Sequence, residues 1–434
     1  MRWRDRSGKR VVLASVCVAV LFAAAFSGGA GAKQSTGTLN VGVFVALSGV
    51  DAVDGPIQSA GCLAAQASID AAGGIRGEQM KCVRVDSGSD PADAVPAANQ
   101  MLATTSNLVA IVGPTEVAPA TEPIFARAKV VMFSLSGDPR YDHSTDPYFF
   151  RILPSDDVAG VAMAYWAFSR GLKHAAVAFD SSLGSQTVLP SLEHAYAKLG
   201  GKLSKVLILA PDQVSYQTEV EQLLASHPDG ILTQTDSQTA ATFFSEVSVL
   251  SSHLFPIQVT APGLVPPYET ALAKAIGKSN MQKYFSGTDI SAPAPGGVAS
   301  NAYKHALLSP GLGIQNPAQY ETQPYTAAPY DAVVAMALAM TAAKSTVPSV
   351  YRAYITRVTG PAAKGVVEVQ TYAQGVAALK QGKRIRYVGA NGPLVFDRYQ
   401  NAAGTFSAFG YNPNSPEAKT IGSIPATAVE RLLK

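Results

Sequence analysis

The chain has 434 residues, with 34 Lys+Arg against 31 Asp+Glu, six histidines and three cysteines. That length exceeds what one hydrophobic core usually covers, so two lobes are expected. Five basic residues and one acid fall in the first 32 positions, leaving 29 basic and 30 acidic residues beyond them. A near-neutral body gives no electrostatic ground for binding nucleic acid or an acidic membrane surface.

The chain opens on the basic segment MRWRDRSGKR, followed by the apolar run Val11 to Phe26 and the small-residue site Ala30-Gly31-Ala32. This is the pattern of a secretory signal over residues 1–32, cut before Lys33, and it implies an exported protein, periplasmic or held at the cell envelope. The apolar run is shorter than the ~20 residues a membrane-crossing helix needs. Cys17 follows Val16, where a lipidation site wants a small residue. Cys62 and Cys82 are then the remaining cysteines, and export permits a disulfide between them. Two buried free thiols are the other reading.

LNVGVFVAL (Leu39 to Leu47) reads as a strand, followed by a polar loop and a helix through CLAAQASIDAAGG. MKCVRVD is a strand, Pro91 to Thr105 a helix, LVAIVG a strand, the stretch with Ile124 and Phe125 a helix, and VVMFS a strand. After Phe150 the rhythm restarts: a helix at Val158 to Ser169, the strand HAAVAFD, a helix at Gln186 to Leu199, then KVLILA, GILTQ and PIQVT. Helices return at Ala299 to Leu308, Tyr330 to Ala343 and Val350 to Thr359, before a glycine-rich, β-leaning tail from Val388. Short apolar strands alternating with helices predict an α/β fold with parallel sheets covered on both faces.

Ligands of open parallel sheets bind beyond the carboxyl ends of the strands. Five predicted loops lie there: Ser48 to Gly55, Gly113 to Val117, Ser134 to Arg140, Asp180 to Ser185 and Gln234 to Ser237. They are rich in Ser, Thr, Asp and Gly. The histidines, at 143, 174, 194, 227, 253 and 305, have no metal-ligand spacing, so no metal site is expected. No G-x-S-x-G elbow or dinucleotide G-x-G-x-x-G stands out, and the Gly277-Lys278-Ser279 triplet has Leu272 where a phosphate loop needs glycine. The pairs Asp51/Asp54 and Asp156-Asp157 have the residue type for acid–base work, but Asp156 directly precedes an apolar periodic run and reads first as a helix cap. Nothing assembles a nucleophile with its base, so neither enzymatic activity nor a cofactor is expected.

Several stretches, in order, resemble the branched-chain amino-acid-binding family of periplasmic solute-binding proteins of ABC importers: LNVGVFVALSG, IDAAGGIRG, SGSDPADAVPAANQML, IVGP, VVMFSLSGDP, PYFFRILPSDD, APYDAVVAMALAM and GPLVFDRYQNAAG. The resemblance spans roughly residues 38–412. It implies two Rossmann-like lobes of the type I periplasmic binding protein fold, joined by a three-strand hinge and closing on a ligand. Residues 38–154 plus 288–388 would form lobe one, and 155–287 plus 389–434 lobe two. It further implies a monomer that hands a small polar ligand, amino-acid-like or bearing a carboxylate or amide, to an ABC permease in the membrane. A ligand-sensing receptor module of the same fold is the alternative.

Carried over by position, the resemblance puts Thr115 where the family holds the ligand carboxylate, with Glu116 beside it. Ser48, Ser136 and Gly137 fall in ligand loops, and Asp156 near the interlobe acid. The departures are Asp138 where the amino-acid binders have threonine, Leu183 where they have an aromatic, and no acid near Pro262 and Gly263 for an α-ammonium. Asp236 could supply that acid from a neighbouring loop. Asp138 would repel a ligand carboxylate unless protonated or turned away. Thr115 is also a good helix N-cap, a purely structural reading that the sequence leaves open.

Overall fold

A computed structural model describes residues 37–260, 264–293, 296–412, 414 and 418–434. The expected signal segment with Cys17, and Pro262 and Gly263, lie outside the described residues. The first α/β series comprises β1 (Leu39–Val45), α1 (Asp54–Ala71), β2 (Met80–Asp86), α2 (Pro91–Thr104), β3 (Leu108–Val112), α3 (Ala118–Arg127), β4 (Val131–Ser134) and β5 (Phe149–Arg151). Its strands form one parallel sheet in the order β2-β1-β3-β4-β5. On β1 the alternation of side chains explains the continuous apolar run: Val41, Val43 and Val45 enter one core cluster and Phe44 the cluster on the opposite face.

The second series runs through α4 (Asp156–Ser169), β6 (Ala176–Asp180), α5 (Leu183–Lys198), β7 (Lys205–Leu209), α6 (Gln217–Ala225), β8 (Ile231–Gln234), α7 (Ser237–Leu250), β9 (Ile257–Val259), α8 (Pro266–Ile276), α9 (Lys278–Tyr284) and β10 (Phe285–Ile290). The chain then adds α10 (Val298–Leu307), α11 (Pro324–Ala343), α12 (Pro348–Val358), β11 (Val366–Val369), α13 (Tyr372–Lys380), β12 (Arg384–Gly389) and β13 (Gly392–Pro393) against the first sheet's helices, where α10 and α11 pack on α1. It ends with β14 (Phe406–Gly410), β15 (Lys419–Ile424) and α14 (Ala426–Leu433). The second sheet has the order β15-β14-β10-β9-β8-β6-β7, parallel except where β14 pairs antiparallel with β10 and β15.

Three features differ from the sequence expectations. The tail is not β-structure alone, because α14 closes it and packs on α4 and α5. The expected lobe boundary between residues 287 and 288 falls inside β10, which stays paired with β14 as far as Ile290. Residues 389–402, expected with the second lobe, are bound to the first: Asp331 accepts from the backbone of Ala390 and Asn391, and Arg151 bridges to Asn401. Cys62 and Cys82 are disulfide-bonded, α1 and β2 bringing their Cα atoms within 6.2 Å. Helix α11 has the length and apolarity to cross a membrane, yet it is an almost wholly buried core element.

The chain thus passes between the two sheets three times: after β5, after β10 and before β14. The last two passages are joined where Ser291 donates its N–H to the Thr405 carbonyl at 2.8 Å. Asp331, buried on α11, anchors the approach to the third. Its carboxylate accepts from the Tyr387 hydroxyl at 2.8 Å, Ala390 N–H at 2.8 Å and Asn391 N–H at 2.9 Å. Asp331→Ala leaves the buried Tyr387 hydroxyl and Ala390 N–H without their acceptor, while the N–H of exposed Asn391 can turn to water, and it is expected to lower the unfolding free energy by roughly 3 kcal/mol, read from denaturant melts. Unchanged stability would contradict this anchoring role.

Candidate functional site

Between the two sheets, at the carboxyl ends of their strands, lies a cleft of two adjoining chambers. The first encloses about 1000 Å³ including its mouth. It is lined by Asp54, Gln58, Thr115, Glu116, Ser136, Asp138, Asp156 and Leu183, by Leu153 from the first passage between sheets, and by Thr288 and Ile290 of β10, Tyr325 of α11 and Phe406 of β14. The second is lined by Asp51, Asp180, Asp212, Asp236, Thr235 and Tyr268, and shares Asp54, Glu116, Gly184, Gln234 and Val265 with the first.

Gly113 ends β3 with φ +86°, and a Cβ there would collide with the Phe44 carbonyl, so only glycine fits this turn. The turn delivers Thr115 and Glu116 to the cleft. Thr115 does not cap α3: the cap position is Val117, with no side-chain capping bond. The next loop brings Ser136, Gly137 and Asp138. Gly137 lines the first chamber and makes room for Asp156, since a Cβ would run into that carboxylate. Asp138 lines the chamber with Arg140 beside it, its Oδ1 accepting from Arg140 N–H at 2.9 Å and its Oδ2 paired with Arg140 Nε at 2.9 Å.

Asp156 is not the cap of α4, contrary to its sequence position. Ser155 takes that place, accepting from Asp157 N–H at 3.4 Å, while Asp156 Oδ2 accepts from Thr187 Oγ1 at 2.6 Å. Asp54 likewise opens α1 without capping it. Asp236 divides its carboxylate: Oδ1 caps α7 through Gln238 and Thr239 N–H, and Oδ2 is buried with no partner among the described residues. Leu183 lines the first chamber at 49% exposure, just beyond the Ser182 cap of α5. Ser48 lies outside both chambers. It is exposed, and its carbonyl accepts from Ser89 Oγ.

Electrostatically the cleft is one-sided. Among the described residues, four carboxylates line the first chamber and six the second, with Asp54 and Glu116 common to both, and no Lys, Arg or His lines either. Burial pushes Asp51 up to about 8, with the charges of Glu116, Asp54 and Asp180 adding to it. Burial also lifts Asp54 to about 7, helped by Glu116 and Asp289. Asp156 is raised to about 7, again by burial first; Glu116 and Asp138 add to this, while the Thr187 hydrogen bond and Arg151 pull the other way. Glu116 is the charge these three share.

All five predicted loops contribute to the lining. Gln58, inside α1, and Thr288, Ile290, Tyr325 and Phe406, from elements next to the interlobe passages, were not singled out from sequence. Their approach depends on how one sheet meets the other. The chamber offers acceptors and hydroxyls around an apolar floor, an arrangement that binds a polar small molecule.

The sequence profile of the periplasmic binding protein family matches residues 38–405. No curated protein sequence matches. Among solved structures, a leucine-binding protein from Thermotoga maritima superposes with a TM-score of 0.70 at 16% identity, covering 90% of this chain and 99% of its own. The substrate-binding protein of a branched-chain amino-acid transporter from Streptococcus pneumoniae, in complex with isoleucine, gives 0.68 at 18%, covering 89% and 100%. An ABC-transporter solute-binding protein of Rhodopseudomonas palustris, in complex with p-hydroxybenzoic acid, gives 0.69 at 17%, covering 90% and 98%. At these identities the superpositions establish the fold. With the profile spanning most of its length, the chain belongs to the periplasmic binding protein family and has its two-lobed α/β architecture.

Proposed function

We propose that this protein is an exported, monomeric solute receptor that captures a small, net-cationic polar molecule between its lobes and delivers it to an ABC permease. In this reading residues 38–152 with 298–402 form lobe one, 156–290 with 406–434 form lobe two, and the three passages between them are the hinge. The family consists of solute-binding proteins rather than enzymes, and the cleft fits that role.

The observation that carries the cationic assignment is the lining: carboxylates from both lobes converge, and among the described residues no basic side chain joins them in the wall. Arg140 neutralises Asp138 from outside, and Arg151, the other guanidinium near this wall, is paired with Asp142 at 2.6 Å. Isoleucine and p-hydroxybenzoic acid, bound by the related proteins, carry a carboxylate that Asp54, Glu116 and Asp156 would repel. An ammonium or guanidinium would instead satisfy them, with Thr115 and Ser136 holding further polar atoms of the ligand.

A thermal-shift screen of primary amines, diamines, guanidines and basic amino acids beside benzoates and neutral amino acids tests this. A cation at a hundred times its dissociation constant stabilises by ~2.7 kcal/mol. Stabilisation confined to anions would refute the assignment. Glu116→Gln, which removes the shared charge, is expected to weaken the best cation by about ten- to a hundredfold in calorimetry, the range of one lost charge-assisted hydrogen bond. Asp138→Asn should change affinity far less, because Arg140 already compensates that charge.

The pH dependence has a definite sign. Asp51, Asp54 and Asp156 have folded-state values above the ordinary 3.8, so the ligand-free protein loses their contribution to stability as pH rises from about 4 towards 8. A cationic ligand favours the ionised forms. Its affinity therefore increases over pH 5 to 8, approaching tenfold per unit for each proton released on binding. Titration calorimetry across that window should show the rise, and a flat profile would count against the cationic reading. Small-angle scattering with a saturating cation should also show a smaller radius of gyration as the lobes close.

A further inference from the structure

Gln58 lies four residues after Asp54 on α1, so the two side chains share a helix face and both reach the first chamber. Gln58 is 3% exposed, and its Oε1 is buried with no hydrogen-bond partner among the described residues. From the opposite lobe, Thr288 on β10 lines the same chamber. It is 2% exposed, and its Oγ1 is likewise buried without a partner among the described residues. Neither atom caps a helix or supports a loop. Around them stand Ile290 and Phe406, which are apolar, and Tyr325, whose hydroxyl donates to Asp289 Oδ1 at 2.7 Å.

Buried polar atoms without partners lower stability, and native interiors rarely keep them. Here two residues that carry such atoms, Gln58 on α1 and Thr288 on β10, line one chamber together with Asp54. A carboxamide oxygen and an ionised carboxylate on one face only accept hydrogen bonds, so a group with several N–H donors complements them.

We propose that Gln58 and Thr288 are specificity-determining ligand contacts. A primary ammonium or guanidinium donates N–H bonds to Gln58 Oε1 and Asp54 from one lobe and to Thr288 Oγ1 from the other. This deepens the cationic reading and rests on it. It adds that the site selects N–H donors rather than positive charge as such, and that the bond set is complete only when both lobes touch the same group. Removing either polar atom therefore weakens binding while relieving the ligand-free protein of an unpartnered group.

The test uses n-butylguanidinium and n-butyltrimethylammonium, which carry the same charge but differ in having N–H donors. Titration calorimetry on the full mature chain is expected to show the guanidinium binding at least about tenfold more tightly. Gln58→Met and Thr288→Val, both close in shape to the native side chains, should each weaken the guanidinium about five- to tenfold and leave the quaternary ammonium unchanged. Without ligand, both variants should melt no lower than the unsubstituted protein. If they bind the guanidinium as the unsubstituted protein does, or melt lower with binding unchanged, the two residues serve packing and this inference is overturned while the cationic reading stands. If neither cation binds the unsubstituted protein, both fall together.

Discussion

Arg151 is the buried guanidinium at the base of the hinge, and much of the cleft's character follows from how it is held. It ends β5, the last strand of the first sheet, and pairs with Asp142 at 2.6 Å while donating to the Asp138 carbonyl at 3.2 Å. Its own backbone bonds to Gln400 and Ala402, the segment leading to the third passage between sheets. One residue therefore fixes the first passage, the Asp138 loop and the approach to the third. Because its charge is committed there, it reaches Asp156 only as a weak counterweight to burial. The rest of the cleft wall is left to carboxylates.

That imbalance joins stability to function. Burial first, and then the charge of Glu116, raises Asp51, Asp54 and Asp156 into the neutral range, and in the proposed reading a bound cation would favour their ionised forms. The unpartnered atoms of Gln58 and Thr288 act in the same direction. Among the buried side-chain atoms without a partner in the described residues, those of Gln58, Thr288 and Asp236 belong to residues that line the cleft, where a ligand would complete them. A closing motion about three chain passages is the conformational change that would let one small molecule satisfy both sides at once.

Much of this was legible in the residues. The β-branched apolar strands and the glycine-bounded turns marked the α/β alternation, and all five strand-end loops read from it supply cleft residues. Individual roles were harder to read. Asp156 stands where a cap belongs, yet Ser155 caps α4 and Asp156 turns to Thr187. Thr115 could have been a cap and is not. Asp138 suggested repulsion in the site, and the structure adds an ion pair with Arg140, two residues away in sequence, that offsets its charge. In each case two local hydrogen-bonding choices of similar worth compete, and spacing along the chain does not decide between them.

By itself the sequence determined the period-two and helical patterns, hence the parallel sheets, and through glycine and proline it determined where strands must end. These are short-range consequences of side-chain shape and backbone conformation. The tertiary structure decided which residues face one another across the cleft: Gln58 within α1, Thr288 on β10 and Phe406 on β14, separated by hundreds of positions yet lining one chamber. It also raised the titration of the cleft carboxylates, since burial and the nearness of Glu116 to Asp51, Asp54 and Asp156 are properties of distance and solvent exclusion. No linear spacing encodes them, because they arise only where the two sheets face each other across the cleft, joined by three passages of the chain.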